Sequence, residues 1–193
     1  MKRKILHTDL DAFFCAVEML RQPELKGKPF VVGGSPEGRG VVSSASYAAR
    51  EFGVRSAMPA ARALRLCPDL VIVSSSHSVY SEYSHKVMEI LRSAAPLVEQ
   101  ISIDEAFLDI SDDPEPGVEF ARRIQDEIKD KAGLPTSWGI ASNKLVAKIA
   151  TDLGKPEGLV EVPEGEEAAF LAPLPVKVIW GVGPRTEEVL AGR

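Results

Sequence analysis

Residues 97–110 read LVEQISIDEAFLDI, and this run places two adjacent acids, Asp104 and Glu105, in the middle of an otherwise apolar segment. Neighbouring side chains on an extended strand point to opposite faces of a sheet, so an unbroken strand could not direct both acids to one site. The run is also long for one strand. We therefore predict two antiparallel strands, VEQISI and AFLDI, joined by a tight connection at the acids. Taken alone, an acid pair in such a turn needs no function, because Asp is common in turns.

A further acid lies at the end of another predicted strand. The segment KILHTDL (4–10) is apolar enough for a strand, and a helix is predicted from Phe13 to Leu20, so Asp9 falls where the strand ends and Asp11 at the helix N-cap. A carboxylate at the depth of Asp9 needs a partner or a metal. Oxygen donors that converge from two strand ends suit Mg²⁺, which is usually bound by a few carboxylates together with substrate phosphates. The pattern therefore indicates phosphoryl or nucleotidyl transfer.

The rest of the chain alternates between strand and helix patterns. The short run FVVGG is followed by a Gly-rich turn; VVSSAS, LVIVSS and TSWGIA are predicted as further strands, and GKPEGLVEV closes the regular part. Further helices are predicted at YAAREFG (ended by Gly53), MPAARALRLCP, and residues 79–94, 118–131 and 143–153, the last capped by Ser142. The chain stops inside an apparent helix without a stop signal, so we expect that it is cut.

Composition narrows the class of protein. The 193 residues are 45% hydrophobic and 26% charged, as in an ordinary globular protein of one or two domains. Neither a signal peptide nor an apolar run of about 18 residues is evident, so we expect a cytoplasmic protein without a membrane partner. Cys15 and Cys67 are predicted to be buried thiols. The net charge of −5, taken alone, argues against a nucleic-acid binder, since phosphate contact usually requires basic excess.

Six ordered segments resemble the Y family of translesion DNA polymerases, and most closely its DNA polymerase IV branch. These are HTDLDAFFCAVE, LKGKPFVVGG, SYAAREFGVRSAMP, SIDEAFLDIS, GIASNKLVAKIATDLGKPEG and WGVGPRTEEVL. They are spread along nearly the whole chain, and their order and spacing make the resemblance far more specific than one acid pair. It implies a DNA-directed DNA polymerase that serves translesion synthesis in DNA repair, and hence a mutator activity in replication.

The resemblance also implies a domain organisation and partners. The implied fold is α+β: a mixed α/β palm with an antiparallel catalytic sheet is expected at 1–18 and 76–163, a small inserted fingers domain at 19–75, and the beginning of a helical thumb at 164–193. We expect the basic little-finger domain of the family to be absent from this chain, which would account for the acidic balance. The implied partners are primer–template DNA and dNTP, with a sliding clamp reached through the missing C-terminal part, and a monomer is expected.

The residues matching the family's metal ligands are Asp9, Asp104, Glu105 and the backbone carbonyl of Leu10. The implied mechanism is attack of the primer 3′-hydroxyl on the α-phosphorus of dNTP, assisted by two Mg²⁺ ions. Asp9 and Asp104 would bridge both ions, and Glu105 would lean toward the ion on the primer side.

Other matching residues are expected to hold the nucleotide. The amides around Ala12, Phe13 and Phe14 begin a helix and so favour phosphate. Tyr47 and Arg50 lie three residues apart on one helix face, and Ser44 and Lys155 match the family's phosphate-binding positions. Without the resemblance, Arg50 would be read as a solvated charge, Tyr47 as half-buried packing and Lys155 as a loop lysine.

Phe14 matches the family's steric gate, whose ring leaves no room for a 2′-hydroxyl. The segment GVGPRTEEVL resembles a helix-hairpin-helix, in which Gly181 and Gly183 would bring backbone amides to a DNA phosphate. Two other classes remain open. A nucleotide cyclase shares paired acids but has no reason to carry the gate or the hairpin, and a non-catalytic DNA-binding relative would typically have lost the acids.

Overall fold

The computed structural model describes residues 3–192. The strands are β1 (Ile5–Leu10), β2 (Phe30–Gly33), β3 (Val42–Ala45), β4 (Val71–Val73), β5 (Leu97–Gln100), β6 (Glu105–Asp109), β7 (Thr136–Ala141) and β8 (Leu159–Glu161). The helices are α1 (Phe13–Arg21), α2 (Tyr47–Glu51), α3 (Ala60–Leu66), α4 (His77–Ala94), α5 (Gly117–Ala132), α6 (Lys144–Gly154), α7 (Glu167–Leu171) and α8 (Pro184–Ala191). The predicted α+β class is confirmed.

The chain divides into two compact units. The first runs to Leu10 and then takes in Val87–Lys131 and the chain from Pro135 onward. The second comprises Asp11–Lys86 and Ala132–Leu134. Among the described residues, no helix combines the length and the apolar character needed to cross a bilayer.

The first unit contains a five-stranded sheet in the order β5-β6-β1-β7-β8. Neighbouring strands are antiparallel except for β7 and β8, which are parallel. Strand β1 lies in the centre and all six of its residues are buried, the polar His7, Thr8 and Asp9 among them. The break predicted in residues 97–110 is confirmed, because β5 and β6 pair antiparallel around the connection 101–104.

Helix α6 lies close against β7 because Gly139 has no side chain. A Cβ atom added at Gly139 would lie 2.0 Å from the carbonyl oxygen of Ala147. The small residues Ala147 and Ala150 of α6 join Ile5 and Phe107 in one apolar cluster. This close approach brings the polar side chains of α6 within reach of β1 and β6.

The second unit has a three-stranded sheet in the order β3-β2-β4 and its own apolar core. Cys67 belongs to that core and Cys15 is also fully buried, so the prediction of buried thiols is confirmed. Gly53 follows α2 with φ +82°, and its N–H bonds to the Arg50 carbonyl, as expected of a glycine that ends a helix.

Two predicted helix caps are wrong. The N-cap of α1 is Ala12, in a left-handed conformation, whereas the Asp11 carboxylate accepts a hydrogen bond from the Tyr47 hydroxyl at 3.2 Å. The N-cap of α6 is Asn143, which accepts from the Val146 N–H, and the Ser142 hydroxyl instead donates to Glu167. In both cases a contact distant in sequence takes the predicted capping side chain.

Candidate active site

The pairing of β1 with β6 places two carboxylates directly opposite each other. Asp9 and Glu105 are register partners, and a hydrogen bond joins their carboxyl groups. Asp9 is 6% exposed. Asp104 precedes the strand, and its carbonyl accepts a hydrogen bond from the Leu10 N–H at 3.0 Å, which fastens the connection to the end of β1. The backbone thus gathers the four residues predicted as metal ligands at one end of two strands.

A serine shapes the connection that carries the acid pair. The Ser102 hydroxyl oxygen accepts from the N–H groups of Asp104 and Glu105 at 3.1 and 3.0 Å, and it donates to the Asp104 carboxylate at 2.6 Å. The sequence prediction missed this role. A Ser two residues before an Asp in a turn is nevertheless a pattern that favours such local bonds.

Two lysines neutralise the facing carboxylates. Lys155 Nζ lies 2.5 Å from Asp9 Oδ2 and 3.1 Å from Asp152 Oδ1. Lys148 Nζ donates to Glu105 Oε1 at 2.7 Å. Lys155 was predicted from the sequence, whereas Lys148 was missed, because a lysine on an apolar helix commonly extends its charge into water. Here the Lys148 side chain is only 10% exposed, so its charge lies inside the site.

The pKa values of the Asp9 and Glu105 carboxyl groups shift in opposite directions. Burial, with a smaller contribution from the hydrogen bond with Glu105, raises the pKa of Asp9 to about 8 despite the opposing charge of Lys155. Burial also acts to raise the pKa of Glu105, but the hydrogen bonds from Asp9 and Lys148 outweigh it and leave that pKa below its ordinary value. Burial acts to lower the pKa of Lys155, and the carboxylates of Asp9 and Asp152 nevertheless raise it.

His7 lies two residues before Asp9 on the same face of β1. Its Nδ1 is 3.0 Å from the Thr151 hydroxyl oxygen, whose own hydrogen points to the carbonyl of His7 or of Ala147. Burial first, and Lys148 next, lower the pKa of His7 to about 3, so the ring is neutral. His7 therefore adds no charge and helps to hold α6 against β1.

The oxygen donors suit a hard divalent cation, although the three carboxylate side chains do not lie close together. Within residues 3–192, no group of three acidic, histidine or cysteine side chains is close enough together to hold a metal ion. Asp9 and Glu105 adjoin, while the Asp104 carboxylate is bonded to Ser102. The buried carboxyl of Asp9 has a raised pKa and lies next to a second carboxylate. A cation would stabilise the ionised form of such a pair. The chemistry of the donors therefore fits Mg²⁺.

The remaining predicted nucleotide ligands lie in the second unit. The first turn of α1 opens with the bond from the Ala16 N–H to the Ala12 carbonyl, and helix geometry leaves the preceding amides without intrahelical acceptors. The Arg50 guanidinium lies 4.7 Å from the centre of the Tyr47 ring, and its Nε donates to the Ala45 carbonyl. Ser44 is buried and bonds to the Cys15 thiol, whose pKa burial raises to about 11. Phe14 is half-buried.

The predicted DNA contacts lie in the first unit, next to α8. Gly181 has φ +89°, a conformation that favours glycine, and Gly183 is the N-cap of α8. The hairpin turn and the following helix predicted from GVGPRTEEVL are therefore present.

Comparison with known proteins agrees with this arrangement. The impB/mucB/samB family model matches residues 8–152, and the IMS family HHH motif matches residues 164–192. The chain therefore belongs to the impB/mucB/samB family, the Y family of translesion DNA polymerases.

Within that family the similarity is to DNA polymerase IV. The chain is 49% identical over 190 residues to DNA polymerase IV of Alkalilimnicola ehrlichii, covering 97% of this chain and 54% of that protein. It is 48% identical over 188 residues to DNA polymerase IV of Dehalococcoides mccartyi, covering 96% and 48%. The chain thus spans about half the length of the curated relatives it matches.

Solved structures that are also similar in sequence share the fold. DinB from Sulfolobus solfataricus superposes with a TM-score of 0.91 at 36% identity, over 98% of this chain and 57% of that one. An insertion ternary complex of Dbh DNA polymerase gives a TM-score of 0.91 at 35% identity, with the same coverage.

The raised pKa of Asp9 predicts a pH-dependent stability when metal is chelated. The folded state retains the Asp9 proton up to about pH 8, whereas the unfolded state releases it near the ordinary 3.8, so the free energy of unfolding falls as pH rises between these values. From pH 6.5 to 8, urea denaturation should show the wild type losing about 1 to 2 kcal/mol relative to Asp9→Asn.

Asp152→Asn is the matched control, because Asp152 contacts the same lysine from a half-exposed position. It should keep the pH dependence of the wild type. Equal slopes for the wild type and Asp9→Asn would show that the Asp9 carboxyl is not held protonated by its surroundings.

Proposed function

We propose that the chain catalyses template-directed DNA synthesis of the translesion type, joining a dNTP to a primer 3′-hydroxyl. The observation that carries the proposal is the pair of facing carboxylates, Asp9 and Glu105, each held by a lysine inside the first unit. Membership of the Y family and the similarity to DNA polymerase IV support it. In this proposal residues 1–18 and 76–163 act as the palm, 19–75 as the fingers and 164–193 as the beginning of the thumb.

Asp9, Asp104, Glu105 and the Leu10 carbonyl would hold two Mg²⁺ ions. When bound, these ions lower the pKa of the primer 3′-hydroxyl and neutralise charge on the leaving pyrophosphate. The carboxylates supply the negative charge that fixes the cations, and Ser102 holds the connection from which Asp104 and Glu105 extend. If Asp9 and Glu105 held cations, Lys155 and Lys148 would each lose a carboxylate partner, and their ammonium groups would be available to phosphate oxygens.

The residues predicted from the family resemblance would bind the triphosphate. Lys155 would provide a positive charge, and Tyr47 and Arg50 would provide donors that lie next to each other. Their stacked arrangement restricts both side chains, which reduces the entropy lost on binding a ligand. The amides at the start of α1 favour anions through their free N–H groups, and Ser44 adds a hydroxyl.

Phe14 would exclude ribonucleotides, and Gly181 and Gly183 would hold a DNA phosphate. The half-buried Phe14 ring presents a rigid apolar surface to a sugar, so a 2′-hydroxyl would be rejected by overlap. The amides near Gly183 lie at the N-terminus of α8, where the helix leaves donors free. Their contact with the backbone would position the duplex without reading its sequence.

Primer extension with Mg²⁺ and four dNTPs tests the proposal. Asp104→Asn should lower the rate by about a thousandfold, since the substitution removes the charge that binds the cations while leaving the turn intact. Asp112→Asn, which changes an exposed loop acid, should extend like the wild type. The assay should use both the chain and a chimera that adds the C-terminal half of the Alkalilimnicola ehrlichii relative, because that half would supply further DNA contacts.

Retention of wild-type extension by Asp104→Asn would contradict the metal mechanism. Metal-independent nucleotide binding without extension, in both forms of the protein, would favour a non-catalytic DNA-binding role. Conversion of a nucleoside triphosphate without a primer would favour a cyclase.

Phe14→Ala should allow ribonucleotides to be inserted. Removal of the ring opens space for the 2′-hydroxyl, so the ratio of dNTP to rNTP insertion efficiency should fall about a hundredfold or more. Single-nucleotide insertion measures this ratio, and Leu20→Ala, at an exposed position of the same helix, should leave it unchanged. An unchanged ratio in Phe14→Ala would remove Phe14 from the sugar site.

A further inference from the structure

A fully buried carboxylate lies one helical turn after the proposed sugar gate. Glu18 follows Phe14 by four residues on α1 and is 0% exposed. Its Oε1 accepts hydrogen bonds from the Arg21 guanidinium at 3.0 Å and from the Tyr80 hydroxyl at 2.8 Å. Its Oε2 accepts from Arg21 at 3.1 Å and from the Gln22 amide at 3.1 Å. A buried charge is costly unless it is paired and hydrogen-bonded, and these four contacts satisfy it.

The tyrosine held by this carboxylate lies directly against Phe14. Tyr80 is 0% exposed, and its ring is stacked on the Phe14 ring with 4.3 Å between centroids and an interplanar angle of 16°. Tyr80 therefore covers one face of Phe14. Burial foremost raises the pKa of Tyr80 to about 12, which keeps its hydroxyl protonated and able to donate to Glu18.

The stack alone does not fix the position of the rings. Aromatic pairs commonly settle in offset or edge-to-face arrangements, and such pairs tolerate a range of separations. The Tyr80 ring is tied down at its far end by Glu18, and Glu18 is in turn tied to Arg21 and Gln22 on the same helix. The hydrogen bond from Tyr80 to Glu18 thus anchors the far end of the ring that stacks on Phe14.

Exclusion by overlap requires a ring that cannot move. A gate that retreats by a few tenths of an ångström relieves much of a steric clash, because repulsion falls steeply with distance. We propose that Glu18 and Tyr80 are positioning residues for sugar selection: their hydrogen bond fixes the Phe14 ring and thereby sets how strongly ribonucleoside triphosphates are rejected. The inference rests on the proposed polymerase function and on Phe14 as the residue that meets the sugar.

The test compares dNTP and rNTP insertion by the chain or by the chimera described above, whichever extends a primer. Tyr80→Phe keeps the stacked ring and removes only the donor, and Glu18→Gln keeps the shape and removes the charge. Both should lower the ratio of dNTP to rNTP efficiency by about tenfold, less than Phe14→Ala does. In the double variant Phe14→Ala with Tyr80→Phe, loss of the hydroxyl should have no further effect on the ratio, since no gate remains to position.

Leu70→Ala separates positioning from general loosening. Leu70 belongs to the apolar core of the second unit, and neither Phe14 nor Tyr80 is a member of that cluster. This variant should lower stability in urea denaturation and leave the ratio of dNTP to rNTP efficiency unchanged. If Glu18 and Tyr80 had a purely structural role, Tyr80→Phe and Glu18→Gln would give the same result.

The outcomes distinguish the inference from the function beneath it. Wild-type ratios in Tyr80→Phe and Glu18→Gln, with a lowered ratio in Phe14→Ala, would overturn the inference and leave the polymerase proposal intact. A ratio lowered equally by Leu70→Ala would also overturn it. An unchanged ratio in Phe14→Ala would remove both the gate and the residues proposed to position it.

Discussion

The site depends on the antiparallel register of β1 and β6, which sets Asp9 opposite Glu105. A slip of one strand by one residue would move its side chains to the other face of the sheet and separate the two carboxylates, so their pairing is fixed by the same alternation that buries Leu6 and Leu108. Two carboxylates side by side in a buried place repel each other. The structure offsets this repulsion with a shared hydrogen bond and two lysines rather than with distance.

The lysines connect the electrostatics of the resting protein to the proposed reaction. Lys148 lies on α6, and Lys155 is the residue that follows this helix. Their ammonium groups supply positive charge to the carboxylates of the site. The close approach of α6 to β7 at Gly139 is what allows this reach. In the proposed function, divalent cations would replace the lysines as partners of the carboxylates, and the lysines would then be available to negatively charged substrate groups. The same charges would serve the free fold and the proposed reaction.

Local patterns in the sequence predicted the elements well, and β7 begins and ends at the predicted residues Thr136 and Ala141. They failed where the outcome depends on residues distant in sequence. Asp11 looked like a helix cap, but Tyr47 contacts its carboxylate from 36 positions away. The sequence analysis singled out neither Lys148 nor Glu18, whose partners Glu105 and Tyr80 lie 43 and 62 positions away. The roles predicted for Asp104, Glu105 and Phe14 rest on the family resemblance, because the local pattern alone favoured a plain turn for Asp104 and Glu105.

We propose that Asp9, Asp104 and Glu105 form one divalent-cation site. Electron paramagnetic resonance of Mn²⁺ titrated into the chain tests this proposal, because the signal of free Mn²⁺ is lost on binding. Asp9→Asn and Asp104→Asn should each weaken binding at least about tenfold, while Asp152→Asn should bind like the wild type. Equal Mn²⁺ affinity in the wild type, Asp9→Asn and Asp104→Asn would contradict it.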